Sequence, residues 1–164
     1  MTATSSAEPL LSEANAAFIQ RGVSINLASR DRRSVPAVAR ACGVRVCADR
    51  RQVTVFAIAA QAERLLAAVE ASGTLAAVFT RPSTNKTIQL KGSDARIAPL
   101  APGDEDLIRA YRESFAQDLA LIGYSRDLAL AVVPDPDGQA LALTFTPTAA
   151  FDQTPGRNAG RPLS

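Results

Sequence analysis

Apolar and polar residues alternate from position 23 to 30. Val23, Ile25 and Leu27 fall on one side and Ser24, Asn26 and Ala28 on the other, the two-residue period of a strand. Ahead of it, Ser12 is placed to cap a helix running through Gln20, with Phe18 and Ile19 apolar and Gly22 as its stop. The polar run Asp31-Arg32-Arg33-Ser34 predicts a turn into a long second strand over 35–47. Pro36 stands at its start, where a missing N–H is tolerated. Asp49-Arg50-Arg51 predicts the next turn, into a third strand over 52–59.

Helical period follows. Ala62, Leu65, Leu66 and Val69 share one face, and Gly73 closes the helix. Residues 74–80 form a nearly continuous apolar strand, 81–85 interrupt it, and 86–100 read as extended. A second long helix begins at Asp104, Glu105 and Asp106, three acids suited to the positive end of its dipole. Ile108, Tyr111, Phe115, Leu119 and Ile122 line its apolar face and Gly123 ends it. Residues 128–133 and 140–146, separated by Pro134-Asp135-Pro136-Asp137-Gly138, predict a closing hairpin. The expected organisation is a disordered tail over 1–10, one domain over 11–150 and an extended, non-periodic tail over 151–164. Strands joined by tight turns pair antiparallel, so the class is α+β or mainly β, a barrel with helical additions. No glycine-rich loop follows a strand, which removes a Rossmann or P-loop phosphate site.

Composition narrows the chemistry further. The 164 residues fit one domain. A formal charge of +2, with no dense basic run, argues against nucleic acid as a partner. Histidine is absent, which removes Ser-His-Asp triads, Cys-His nucleophiles and His-ligated zinc or haem. Cys42 and Cys47, at odd spacing on the expected second strand, fall on opposite faces and cannot bridge each other. They read as small buried hydrophobes. No apolar run approaches a membrane span, and residues 1–9 lack the apolar core of a secretory signal. A cytoplasmic protein with no membrane association is expected.

Three segments carry a resemblance. They are Pro36-Ala37-Val38-Ala39-Arg40, the helix over 61–72, and the run from Thr80-Arg81-Pro82-Ser83-Thr84-Asn85 through Lys86-Thr87-Ile88-Gln89-Leu90-Lys91-Gly92. With the order of elements over roughly 23–100, they resemble the pyridoxamine 5'-phosphate oxidase-like superfamily of split-barrel flavoproteins. The segment Phe151-Asp152-Gln153-Thr154-Pro155-Gly156 is similar to tails in uncharacterised members. The resemblance implies a six- to seven-stranded antiparallel split barrel with flanking helices. It also implies a homodimer holding FMN in interfacial clefts, and an oxidoreductase or flavin carrier acting on an unknown small molecule. A deazaflavin is a variant of the same reading.

The residues implied to hold the cofactor are Arg40, Arg64, Ser83, Lys86, Thr87 and Gln89. Arg40 stands for the family's arginine early in the second strand, and Arg64 for a cation at the start of the long helix. Lys86 and Thr87 stand in place of its Arg-Gln pair. A cation near the pyrimidine edge of a flavin stabilises charge on the reduced ring. By strand period Thr87 and Gln89 share a face and Lys86 takes the other. Gln153, Thr154, Arg157 and Arg161 add polar groups on the tail. With neither Trp nor His, a pyridoxal phosphate pocket is not expected. Glu63 stands where the family has an arginine and would repel a phosphate. A second reading therefore stands beside the first: a related split-barrel dimer without flavin, binding another anionic small molecule or a protein.

Overall fold

The computed structural model describes residues 8–163. The tail expected over 1–10 falls, for residues 1–7, outside the described residues. Ten strands and four helices follow in the order α1 (Glu13–Ile19), β1 (Ser24–Arg30), β2 (Pro36–Arg40), β3 (Gly43–Val46), β4 (Val53–Ile58), α2 (Ala59–Ser72), β5 (Leu75–Thr80) and β6 (Thr87–Gly92). After these come β7 (Arg96–Ala98), α3 (Asp104–Ala120), α4 (Arg126–Val132), β8 (Ala140–Phe145), β9 (Ala149–Asp152) and β10 (Arg161–Pro162).

The strands make two wholly antiparallel sheets. One runs β10-β9-β6-β5-β1-β2 and the other β3-β4-β8-β7. The class is α+β as expected, but ten strands replace the expected six to seven and the barrel is not closed.

The difference arises where single predicted strands change sheets. The strand expected over 35–47 divides at Ala41 and Cys42. The Ala41 N–H donates to Ile25 in the large sheet at 3.0 Å, and the next, from Cys42, donates to Phe56 in the small sheet at 2.7 Å. Cys42 and Cys47 therefore share no strand: Cys42 lies in the crossing and Cys47 beyond β3. Gly43 marks the crossing, because a Cβ there would lie 3.0 Å from the Phe56 ring. The extended run over 86–100 divides in the same way at Gly92, where a Cβ would lie 2.7 Å from both the Phe145 ring and the Thr146 carbonyl. The strand expected over 128–133 is instead α4. Ser125 caps it, its hydroxyl accepting from the Leu128 N–H, and Ala129 and Val133 bury at helical spacing. The tail beyond 150 is not structureless: β9 pairs with β6, and β10 with β9.

The core lies between the sheets, with α2 packed on the inner side of β1 and β2. Leu65, Val69, Ile25, Leu27, Phe56, Phe79 and Phe145 are almost wholly buried. Helix α3 stacks on this core through Ile108, Tyr111 and Phe115, and Asp104 at its start pairs with Arg45 of β3 at 2.9 Å. Of its predicted apolar face, Ile122 is exposed beyond the helix end.

Candidate functional site

Register fixes which side chains share the outer face of the six-stranded sheet. Arg40 pairs with Asn26, Asn26 with Val78, Val78 with Gln89, and Gln89 with Phe151, a single row across five strands. Beside it run Ser24, Thr80 and Thr87, and on the other side Val38, Ala28, Ala76, Lys91 and Ala149. Alternate residues of these strands point into the core, as Ile25, Leu27, Ala77, Phe79, Ile88 and Leu90 do. Arg40 and Gln89 stand three strand spacings apart, about 14 Å.

The outward positions carry the cations Arg30, Arg40 and Lys91 and no carboxylate. Arg40 donates to the Ser24 hydroxyl at 2.7 Å, which lays its guanidinium along the sheet. The Lys91 ammonium lies 5.2 Å from the Phe151 ring centroid. The middle of the face is low: Ala28, Ala76 and Val78 project little beyond the backbone. Val38 is 76% exposed, a β-branched side chain standing free on an edge strand.

The six residues implied by the resemblance are divided by the fold. Arg40, Thr87 and Gln89 share the outer face. Thr87 is buried and fully engaged: its N–H donates to the Thr154 hydroxyl at 3.0 Å, its carbonyl accepts from the Gln153 N–H at 2.9 Å, and its hydroxyl donates to the Asn85 carbonyl at 3.0 Å. The Gln89 side-chain oxygen accepts from the Gln153 side-chain amide at 3.1 Å. Lys86 turns to the other side of the sheet, its ammonium 4.5 Å from the Phe18 ring centroid. Ser83 is held by α3, its N–H and hydroxyl donating to the buried Asp118 carboxylate at 3.0 and 2.7 Å. Arg64 and Glu63 are both exposed on α2.

At the sheet margin, the hydroxyl and the N–H of Thr154 hold the Asp152 carboxyl below its ordinary range, helped by the charge of Lys86. Asn26, Val78, Lys91 and Phe151 were not among the expected site residues. The period of β1 signals that Asn26 points away from the core, but only the register shows what stands beside it. Among the described residues no cluster of His, Cys, Asp or Glu could hold a metal ion. No described helix is long and apolar enough to cross a membrane.

No family model matches this sequence and no curated protein matches it. Solved structures do. HupZ of group A Streptococcus is similar at 15% identity and a TM-score of 0.55 over 92% of this chain and 99% of that one. An F420 reductase is similar at 14% identity and a TM-score of 0.50 over 85% and 98%. A pyridoxamine 5'-phosphate oxidase-related FMN-binding protein of Nostoc punctiforme matches at 17% identity and a TM-score of 0.44 over 82% and 76%. HupZ and the F420 reductase are split-barrel proteins, and the two antiparallel sheets described above share that fold.

Proposed function

We propose that the outer face of the six-stranded sheet binds a planar anionic cofactor of the flavin type, FMN or a deazaflavin, between two copies of the chain. The observation that carries this reading is the face itself: low at its centre, amide-bearing along one row, edged by Arg30, Arg40 and Lys91, and free of carboxylates. Such a surface suits a flat ring system with a phosphate. The small side chains admit the ring, amides meet its polar edge, and cations offset its charge. The F420 reductase among the structural neighbours is consistent with it.

A bound flavin supplies hydride and electron transfer to a small-molecule substrate. The chain's own residues would bind and orient. The Asn26 and Gln89 amides donate and accept at the polar edge, and Arg40 holds negative charge with its guanidinium already fixed by Ser24. Val38 and Phe151 exclude water once a second copy covers the face. Arg64 and Ser83, solvated and bonded to Asp118 respectively, take no part in this arrangement.

One observation favours the second reading, a split barrel that binds another small anion. Thr87 has its N–H, carbonyl and hydroxyl all engaged within the chain. The test is the visible spectrum of the freshly purified protein followed by FMN titration. A two-band flavin spectrum or saturable quenching of FMN fluorescence supports the flavin reading. A colourless protein indifferent to both FMN and F420 refutes it.

A further inference from the structure

Gln153 lies one residue past β9, yet its main chain is fixed against β6. Its N–H donates to the Thr87 carbonyl at 2.9 Å. Thr154, next to it, accepts from the Thr87 N–H at 3.0 Å and donates its own N–H to the Asp152 carboxylate at 2.8 Å. The Gly160 N–H donates to the Asp152 carbonyl at 2.7 Å, which ties the loop after β9 back to that strand. The backbone is therefore held on both sides of Gln153, and its side chain reaches Gln89 from a fixed position.

A primary amide offers an acceptor at its oxygen and two donors at its nitrogen. The Gln153 Nε2 group donates to the Gln89 Oε1 atom at 3.1 Å. That bond gives the Gln89 amide a direction: its oxygen turns toward Gln153 and its NH2 group away from it. Among the described residues nothing accepts from this NH2 group, and Gln89 is partly exposed. Two residues along β6 on the same face stands Lys91, which can only donate and has no ion-pair partner among the described residues. Phe151, the register partner of Gln89, lies beside both, its ring centroid 5.2 Å from the Lys91 ammonium. This end of the face thus sets hydrogen-bond donors around an apolar ring.

We propose that Gln153 is a positioning residue of the ligand face. By donating to Gln89 it aims the Gln89 NH2 group at the ligand, so this end of the face takes an acceptor, such as a ring carbonyl, and rejects an N–H. This role rests on the flavin reading, in which the acceptor is a pyrimidine carbonyl of the cofactor, and it narrows the part of Gln89 there to donation. A donor aimed before binding costs no reorganisation when negative charge builds on the reduced ring, and Lys91 adds a cation on the same face.

The experiment measures FMN affinity by fluorescence quenching for the full wild-type chain, Gln153→Met, Gln89→Met and the double variant. Met keeps the length of the side chain and removes the amide without adding charge. Gln153→Met should weaken FMN binding roughly three- to tenfold, the worth of one hydrogen bond, and should cost nothing further once Gln89 is also replaced. NMR of bound FMN carrying 13C at both pyrimidine carbonyls reads the bond itself. At least one carbonyl resonance should move upfield from wild type to Gln153→Met, as it loses its donor. Unchanged affinity in Gln153→Met, or an equal loss with and without Gln89, overturns the proposal and leaves the flavin reading standing. Weakened binding with unmoved carbonyl resonances also overturns it, since Gln153 then supports only the fold. A wild-type chain that binds neither FMN nor F420 overturns both.

Discussion

Arg40 of β2 and Gln89 of β6 stand in one register row of the six-stranded sheet, with Asn26 and Val78 between them and all four side chains outward. That row joins residues from both ends of the barrel half into one surface. If it is the ligand face, Arg40→Ala and Gln89→Ala should each weaken FMN binding by roughly tenfold or more, the cost of a lost bond to a charged or buried polar partner. Val78→Asp, at the row's centre, should abolish binding without unfolding the chain. Arg64→Ala should leave affinity unchanged. Fluorescence quenching of FMN reads all four.

Asp118 and Ser83 couple α3 to the turn that begins β6. The carboxylate is buried and accepts both the N–H and the hydroxyl of Ser83. Asp118→Ala leaves two donors unpaired and should cost about 2–4 kcal/mol in urea unfolding, against about 1 kcal/mol for Ser83→Ala. Equal losses would show that the carboxylate acts through something other than this clamp.

Burial pushes the Cys42 thiol from its ordinary value of 9.0 up to about 12. The folded state therefore keeps a proton that the unfolded chain has released. This stability is fully present below about pH 9 and is lost as pH rises toward 12. Cys42→Ala should flatten that alkaline decline in a series of denaturant melts. In the native protein at pH 8, iodoacetamide should modify Cys47 well before Cys42.

Gly92 stands where β6 leaves the large sheet toward β7. A Cβ there would lie 2.7 Å from the Phe145 ring and from the Thr146 carbonyl. Gly92→Ala should lower stability by about 1–3 kcal/mol, the range for overpacking a close contact. Gly138→Ala, with nothing within 4 Å of its Cβ, tests backbone strain alone at a φ of +75°.

The helices with strong signals were legible. Ser12 caps α1, Gly73 stops α2 with a left-handed φ of 68°, and the three acids open α3. The opposition of Lys86 to Thr87 and Gln89 also followed from strand period. Sheet changes were not legible, because an apolar run passing from one sheet to another looks like one strand, and only consecutive amides aimed at Ile25 and Phe56 reveal the crossing. Residues 128–133 alternate Leu128, Leu130 and Val132 like a strand, and the Ser125 cap outweighed that pattern. Neighbours across the sheet, such as Asn26 beside Arg40, depend on pairing between distant segments, which no local period encodes.

The most direct test of the ligand face is a methyl NMR titration of the labelled protein with FMN. Val38 and Val78, on the outer face, should shift with saturation, while Val55 and Leu143 in the core between the sheets should stay in place. Shifts confined to Leu107 and Leu121, or no shift at all at saturating FMN, would contradict the assignment of that face.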